Sequence, residues 1–262
     1  MSESHSCDTR ARPARARKNL RDELCEGAFA LTMSSGFFGF FAHAGLMTVL
    51  EDKGLLPTRV SGSSAGALVS AAWASGLDAA ELGRELLHLE RKDFWDPGFG
   101  AGLLRGRLFR RRLEALLPKR TFDACRVPCA VSVFDVLTQR TRVVASGDLP
   151  RAIHASCAVP GLFHPVWIDG RPSYDGGILD RPGLEAMPAE ESRVLFHHLA
   201  SKSPWRSVLE MPRRPGMVTL VIEGLPRSGP FRLAEGRRAF SVARAAAKRA
   251  LDRPIEDGIV VI

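Results

Sequence analysis

Short apolar runs alternate with stretches of helical periodicity near the start of the chain. The apolar run over residues 28–33 is bounded by turn residues, which is typical of a buried strand. A helical pattern covers residues 40–52, a second short strand covers 59–61, and an alanine-rich helix follows over 64–74. The order strand, helix, strand, helix predicts parallel strands joined by right-handed crossovers.

The rest of the chain continues this mixture of helices and strands. The pattern predicts helices over 78–89, 108–117, 149–157 and 233–251, and strands over 127–136, 140–145, 194–199 and 217–223. Residues 93–106 are rich in Phe, Trp and Gly and indicate a loop, either a mobile lid over a site or a packed surface loop. No repeat or linker interrupts the pattern, so we expect one domain over residues 27–262, preceded by a basic, disordered tail over residues 1–26.

Composition limits the class of protein. The chain has 262 residues, of which 45% are hydrophobic and 25% charged, which fits a globular domain and excludes wholesale disorder. It contains no uninterrupted apolar run of membrane-spanning length, and the N-terminal segment lacks the apolar centre of a signal peptide, so we expect a cytoplasmic protein. The five cysteines are scattered, and Cys125 and Cys129 lack a second ligand pair, so we expect no disulfide framework, metal or cofactor.

Charge bears on possible partners. The formal net charge is +8, and an arginine cluster covers residues 10–21 without interleaved aromatic residues for base stacking. We therefore expect no nucleic-acid partner. In the last predicted helix, Arg237, Arg244 and Lys248 border an apolar face, and this basic arc predicts peripheral contact with an anionic membrane.

The pentapeptide at residues 62–66 reads Gly-Ser-Ser-Ala-Gly and lies between a predicted strand and a predicted helix. A sharp strand-to-helix turn lifts the hydroxyl of Ser64 clear of the backbone, and the small Gly62 and Gly66 permit this turn. The N-terminus of the following helix favours developing negative charge. This context indicates a nucleophilic serine, although small residues at such turns also serve packing alone.

A second turn, Ser-Ser-Gly-Phe-Phe-Gly at residues 34–39, follows the first predicted strand. A glycine-rich turn directs backbone N–H groups at a neighbouring site, and acyl transfer needs such donors where the tetrahedral oxyanion forms. The turn lacks the first glycine of the dinucleotide-binding pattern G-x-G-x-x-G, and the chain has no P-loop Gly-Lys-Ser or Gly-Lys-Thr. Acyl transfer is therefore favoured over nucleotide binding.

A third motif, Asp-Gly-Gly at residues 175–177, follows the stretch Ala-Ser-Cys-Ala-Val-Pro-Gly-Leu-Phe-His-Pro at 155–165. An aspartate before two glycines is usually only a turn. In this order, however, the two motifs and the two earlier turns resemble the patatin-like phospholipase family over residues 28–184.

The resemblance implies an α/β fold with three α/β/α layers and a mostly parallel central sheet. It also implies a serine hydrolase of the phospholipase A or lysophospholipase type, which cleaves the fatty-acyl ester bonds of a lipid substrate through a Ser–Asp dyad without a cofactor. The residues that match the family's site are the nucleophile Ser64 and its partner Asp175, the oxyanion donors Gly36 and Phe37, the turn residues Gly62 and Gly66, and Gly176 and Gly177 of the Asp-Gly-Gly motif.

The oxyanion turn departs from the family's pattern. Ser34 and Ser35 stand where the family typically has glycines, and Phe38 stands where it has Arg or Lys. Since the donors are backbone groups, these changes bear on rate and head-group preference more than on reaction type.

Two alternatives remain open from the sequence. The chain order Ser64, Asp175, then His197 or His198 also fits an α/β-hydrolase triad. Both histidines lie within a predicted strand, however, which favours a structural role for them. The altered oxyanion turn also allows a catalytically impaired, lipid-binding module.

Overall fold

A computed structural model of the protein describes residues 18–200 and 211–262. The strands in chain order are β1 (Ala30–Met33), β2 (Arg59–Ser63), β3 (Gly102–Leu104), β4 (Cys129–Asp135), β5 (Arg140–Val144), β6 (Gly161–Phe163), β7 (Val166–Ile168), β8 (Arg171–Asp175), β9 (Val194–Leu199), β10 (Met217–Ile222) and β11 (Ile259–Val261). The α-helices are α1 (Leu20–Cys25), α2 (Phe40–Asp52), α3 (Ala65–Ala74), α4 (Ala79–Leu87), α5 (Arg107–Leu116), α6 (Leu149–Ser156) and α7 (Leu233–Ala250).

One large sheet organises the fold. Within the described ranges it contains nine strands in the order β11-β10-β9-β1-β2-β4-β8-β7, with β5 also paired with β4. The pairs from β11 to β4 are parallel, whereas β5, β7 and β8 pair antiparallel. Helices cover both sides, so the chain has the expected α/β fold with a mostly parallel central sheet.

The centre of the sheet is buried on both faces, as parallel strands require. Every residue of β1, β9 and β10 is buried. β1 lies between β2 and β9, with Met33 opposite both Gly62 and His197. The carboxyl ends of these strands therefore meet at one edge, where a ligand site in an open parallel sheet is expected.

Helices α2 and α7 pack closely against each other. A Cβ atom on Gly45 of α2 would collide with the carbonyl of Phe240 in α7, and one on Gly236 would collide with the ring of Phe41. The alanine-rich face of α7 is buried, including Ala243 and Ala247. That face therefore packs against the protein body.

The strongest sequence patterns predict the elements well. The helix over 40–52 and the strand over 194–199 have the predicted bounds. The predicted pattern did not include β3, β6, β7 and β11, which have three residues each, or β8, whose residues are mostly polar. β8 also contains Pro172 and charged residues, and antiparallel pairing with β4 and β7 holds it in the sheet.

The segment expected to form a disordered tail contains an ordered helix. Leu20 and Leu24 of α1 are buried, and Leu20 N–H donates to the carbonyl of Arg253 after α7. The expectation of disorder is therefore wrong for residues 20–25, because two leucines four positions apart supply an apolar face. The remainder of that expectation, for residues 1–17, lies outside the described residues.

The loop over residues 93–106 has regular structure of its own. Its strand β3 pairs with β6, and the Asp96 carboxylate accepts hydrogen bonds from the N–H groups of Gly106, Arg107 and Leu108 at the start of α5. These bonds favour a packed segment over a mobile lid.

Candidate active site

Ser64 lies at a sharp turn between β2 and α3. Its backbone has φ 52° and ψ −116°, a conformation that non-glycine residues rarely adopt. A Cβ atom on Gly62 would collide with the backbone of Gly66, and one on Gly66 would collide with the carbonyl of Met33. Both glycines are therefore required by close packing, and the turn presents Ser64 at the N-terminus of α3.

The hydroxyl of Ser64 donates a hydrogen bond to Asp175 Oδ2 at 2.6 Å. Asp175 ends β8, and its Oδ1 accepts from the N–H of Gly177 at 2.7 Å. The two side chains come from positions 111 residues apart, and the residues are only 9% and 7% exposed. The structure thus brings the two predicted dyad residues into direct contact.

Burial changes the acidity of the Asp175 carboxyl. Loss of solvent raises its pKa to about 6, although the hydrogen bonds from Ser64 and Gly177 act in the opposite direction. A carboxylate with this pKa is ionised at neutral pH but is a stronger base than an exposed aspartate. The site can therefore accept a proton from the Ser64 hydroxyl.

The turn at residues 34–39 lies beside this pair. A Cβ atom on Gly177 would meet the side chain of Ser35, so the Asp-Gly-Gly motif packs directly against the turn. The N–H groups of Gly36 and Phe37 meet no hydrogen-bond acceptor within residues 18–200 and 211–262. They are donors without a partner next to Ser64, as an oxyanion site requires.

Ser34 and Phe38 show how the unusual turn is built. The Ser34 hydroxyl accepts a hydrogen bond from the N–H of Leu199 at 2.9 Å, so this serine ties the turn to β9. Phe38 has φ 54° and contacts Phe94 at a ring-centroid distance of 5.8 Å. Where the family pattern has a cation, this chain has an aromatic packing contact.

An apolar cavity of about 110 Å³ opens beside Ser64. Gly36, Phe37 and Ser64 form part of its wall, and apolar side chains such as Leu113 and Leu162 form most of the remainder. A cavity of this character suits the hydrocarbon part of a ligand.

The patatin-like phospholipase family model matches residues 31–188. This match covers more than half of the chain and includes both Ser64 and Asp175. The chain belongs to the patatin-like phospholipase family.

Relatives of this patatin-like chain include longer proteins. An uncharacterised NTE family protein of Mycobacterium tuberculosis is 32% identical over 154 residues, which cover 58% of this chain and 43% of that protein. The lysophospholipase nte1 of Neurospora crassa is 24% identical over 188 residues, which cover 68% of this chain and 12% of that protein. The matched region of this chain thus spans less than half of either relative.

A solved structure shares the patatin-like fold. The crystal structure of VipD from Legionella pneumophila has a TM-score of 0.62 and 15% identity, and the match covers 94% of this chain and 72% of that chain. At this level of identity the likeness concerns the fold alone.

His197 and His198, the histidines considered for a triad, make other contacts. His43 Nε2 lies 2.8 Å from the carbonyl of Ser34, which can only accept, so this nitrogen carries the proton. His43 Nδ1 must then accept from His197 Nδ1, also at 2.8 Å. His198 contacts the ring of Phe196. In the described chain no histidine makes a hydrogen bond to the Ser64 hydroxyl or to Asp175, which counts against a triad.

Ser156 is a site residue that the sequence analysis did not identify. Its hydroxyl accepts from the N–H of Ser64 at 2.9 Å and donates to the carbonyl of Ser132 in β4 at 2.7 Å. The only signal was its position within the family-like stretch at 155–165.

The described residues offer little for metal binding or membrane spanning. No group of three or more His, Cys, Asp or Glu side chains among them is arranged to hold a metal ion. Likewise, none of their helices combines the length and apolar character needed to span a bilayer.

Proposed function

We propose that this chain is a serine lipid acyl hydrolase, of the phospholipase A or lysophospholipase type, with Ser64 as nucleophile and Asp175 as base. The observation that carries the proposal is the buried 2.6 Å hydrogen bond between Ser64 Oγ and Asp175 Oδ2 beside an apolar cavity. Membership of the patatin-like phospholipase family and similarity to a protein named as a lysophospholipase support the same reaction class.

The proposed first step forms an acyl-enzyme. The proton of the Ser64 hydroxyl passes to the Asp175 carboxylate as Oγ attacks the carbonyl carbon of the ester. The tetrahedral intermediate collapses with cleavage of the ester C–O bond, and the alcohol leaves with the proton from Asp175. The cavity beside Ser64 would hold the acyl chain during this step.

The proposed second step reverses these roles. Water gives a proton to Asp175 and attacks the acyl carbon, after which the bond to Ser64 Oγ breaks and the serine regains its proton. The products are the free fatty acid and the original enzyme. Both tetrahedral intermediates carry a negative oxygen, which the N–H groups of Gly36 and Phe37 would stabilise.

The direct test measures ester hydrolysis by the purified full chain on short p-nitrophenyl esters and on lysophosphatidylcholine. Ser64→Ala and Asp175→Asn should each lower kcat by roughly 10³-fold or more, and the double variant should be no worse, because the two residues act as a unit. Ser63→Ala is a matched control, since this neighbouring hydroxyl is buried and has no hydrogen-bond partner.

Ser63→Ala should stay within about tenfold of the parent chain, since exchange of a hydroxyl without a partner removes no bond. An Asp175→Asn chain that keeps most of its activity would rule out the dyad. A well-folded parent chain that turns over neither substrate would favour the lipid-binding module instead.

A further inference from the structure

Aromatic side chains cluster beside the part of the cavity wall that Phe37 forms. Phe37, which forms part of the cavity wall, is 56% exposed, and Phe231 is 69% exposed. Phe231 packs edge-on against the partly buried Trp95, with ring centroids 5.2 Å apart. We call Phe37, Trp95 and Phe231 the aromatic rim. Large aromatic side chains in water are unfavourable, and several together indicate an interaction surface.

The aromatic rim is continuous with the candidate active site. The hydroxyl of Ser228 donates to the carbonyl of Phe38 at 2.9 Å, which ties the loop that carries Phe231 to the oxyanion turn. Gly229 in the same loop also packs next to the ring of Phe37. Trp95 directly follows Phe94, which is buried in the cavity wall. What binds the rim therefore lies at the entrance to the acyl cavity.

A cation accompanies the aromatic rings. The guanidinium of the exposed Arg91 lies 5.2 Å from the ring centroid of Phe231 and 5.7 Å from that of Trp95. The nearby acidic side chains have other partners: Glu90 pairs with Lys92, and Asp93 accepts from the N–H of Glu90. Aromatic rings beside a cation match the interfacial zone of a bilayer, where anionic head groups lie next to hydrocarbon.

The basic arc of α7 is less suitable for membrane contact than its sequence predicts. Arg237 donates to the carbonyl of Leu87 at 2.7 Å, and Arg244 pairs with Asp52 at 3.0 Å. Both cations are therefore held by the protein body, and Phe240 on the adjoining face is buried.

We infer that the aromatic rim inserts into the interfacial zone of an anionic lipid bilayer and places the cavity entrance on the membrane. This inference rests on the proposed acyl-hydrolase function for its purpose. A lipid chain then passes from bilayer to cavity without crossing water, which removes the main cost of extracting a single-chain lipid.

The test uses the Ser64→Ala chain, so that vesicles stay intact, and measures co-sedimentation with phosphatidylcholine vesicles with and without phosphatidylglycerol. Phe231→Ala should weaken binding by roughly tenfold because it removes a ring that the bilayer would bury. Arg91→Gln should weaken binding by about fivefold, only on anionic vesicles and only at low salt. Trp167→Ala is the matched control, because this residue on β7 is 59% exposed and lies outside the cavity wall. It should bind like its parent.

Vesicle binding that Phe231→Ala leaves unchanged, or that Trp167→Ala weakens equally, would overturn the inference. So would a dimer that Phe231→Ala converts to a monomer in sedimentation velocity, since the aromatic rim would then bind a second copy. Hydrolysis of a soluble short ester by the chain with native Ser64 separates the two proposals. If the chain with native Ser64 does not hydrolyse this ester, the proposed function is wrong. If vesicle binding does not depend on the aromatic rim, the membrane inference is wrong.

Discussion

The backbone N–H of Ser64 donates a hydrogen bond to the hydroxyl of Ser156, which in turn donates to the carbonyl of Ser132. This chain of two bonds links the strained turn at Ser64 to α6 and β4. Residues in such strained conformations persist only when their surroundings hold them. Ser156 is therefore a positioning residue for the proposed nucleophile.

Replacement of Ser156 by alanine tests this role. Ser156→Ala removes the hydrogen-bond acceptor of the Ser64 N–H and one donor to the Ser132 carbonyl, which should cost about 1–3 kcal/mol of unfolding free energy. The kcat on a short ester should fall roughly tenfold or more with little change in KM, since the turn loses its fixed geometry. Ser70→Ala is the control, because the buried Ser70 makes only a 3.5 Å contact within α3. Equal kcat values in both variants would show that the glycines alone hold the turn.

The raised pKa of Asp175 predicts the pH profile. Its carboxylate must be ionised to accept a proton, and burial raises its pKa to about 6. On an uncharged short ester, kcat/KM should be constant above this value and fall about tenfold per pH unit below it. A profile that stays flat down to about pH 4, the ordinary aspartate range, would contradict the assignment of the base.

A smaller cavity should change chain-length preference. Leu162→Trp adds bulk to the cavity wall, where Leu162 is partly buried. Exclusion of two methylene groups should lower kcat/KM for a long-chain ester by about tenfold relative to a short one, because each buried methylene contributes about 0.8 kcal/mol. Leu137→Trp, at a position that is 67% exposed outside the cavity wall, should leave the ratio unchanged. Equal losses on both esters would place the acyl chain elsewhere.

The buried pair of histidines predicts a loss of stability in acid. Burial lowers the pKa of His43 to about 4 and that of His197 well below the ordinary value. Because the folded state binds the proton less readily than the unfolded chain, this stabilisation is present above about pH 6.5 and is lost as the pH falls to about 4.

Urea unfolding at pH 7 and pH 5 measures this effect. His43→Gln cannot be protonated, and the free energy of unfolding should depend less on pH in this variant than in the parent chain. Asp175 acts in the opposite direction, since its pKa is raised, but it is present in both chains and cancels in the comparison. An unchanged pH dependence in the variant would show that His43 is not the titrating group.

The sequence predicts elements better than it predicts contacts between them. The helix over 40–52 could be recognised from its periodicity, and Ser64 from a motif between a strand and a helix. The strand that carries Asp175 could not be recognised, because its residues are polar and its place depends on pairing with β4 and β7. Ser156 has no distinctive local pattern either.

Contacts between distant segments account for what was missed at the site. The position of His197 within a predicted strand indicates a structural role, but its hydrogen bond to His43 joins positions 154 residues apart. Helix α1 was hidden for a related reason. Its charged surroundings resemble a solvated tail, and only the packing of Leu20 and Leu24 against the domain shows that it is ordered.

Mass-spectrometric mapping of a fluorophosphonate adduct tests the identity of the nucleophile most directly, because this reagent reports an activated serine whatever the lipid substrate. We expect one adduct on Ser64 in the parent chain, slower labelling in Asp175→Asn, and none in Ser64→Ala. An adduct on Ser63, or no adduct on a folded chain that hydrolyses esters, would contradict the assignment of Ser64.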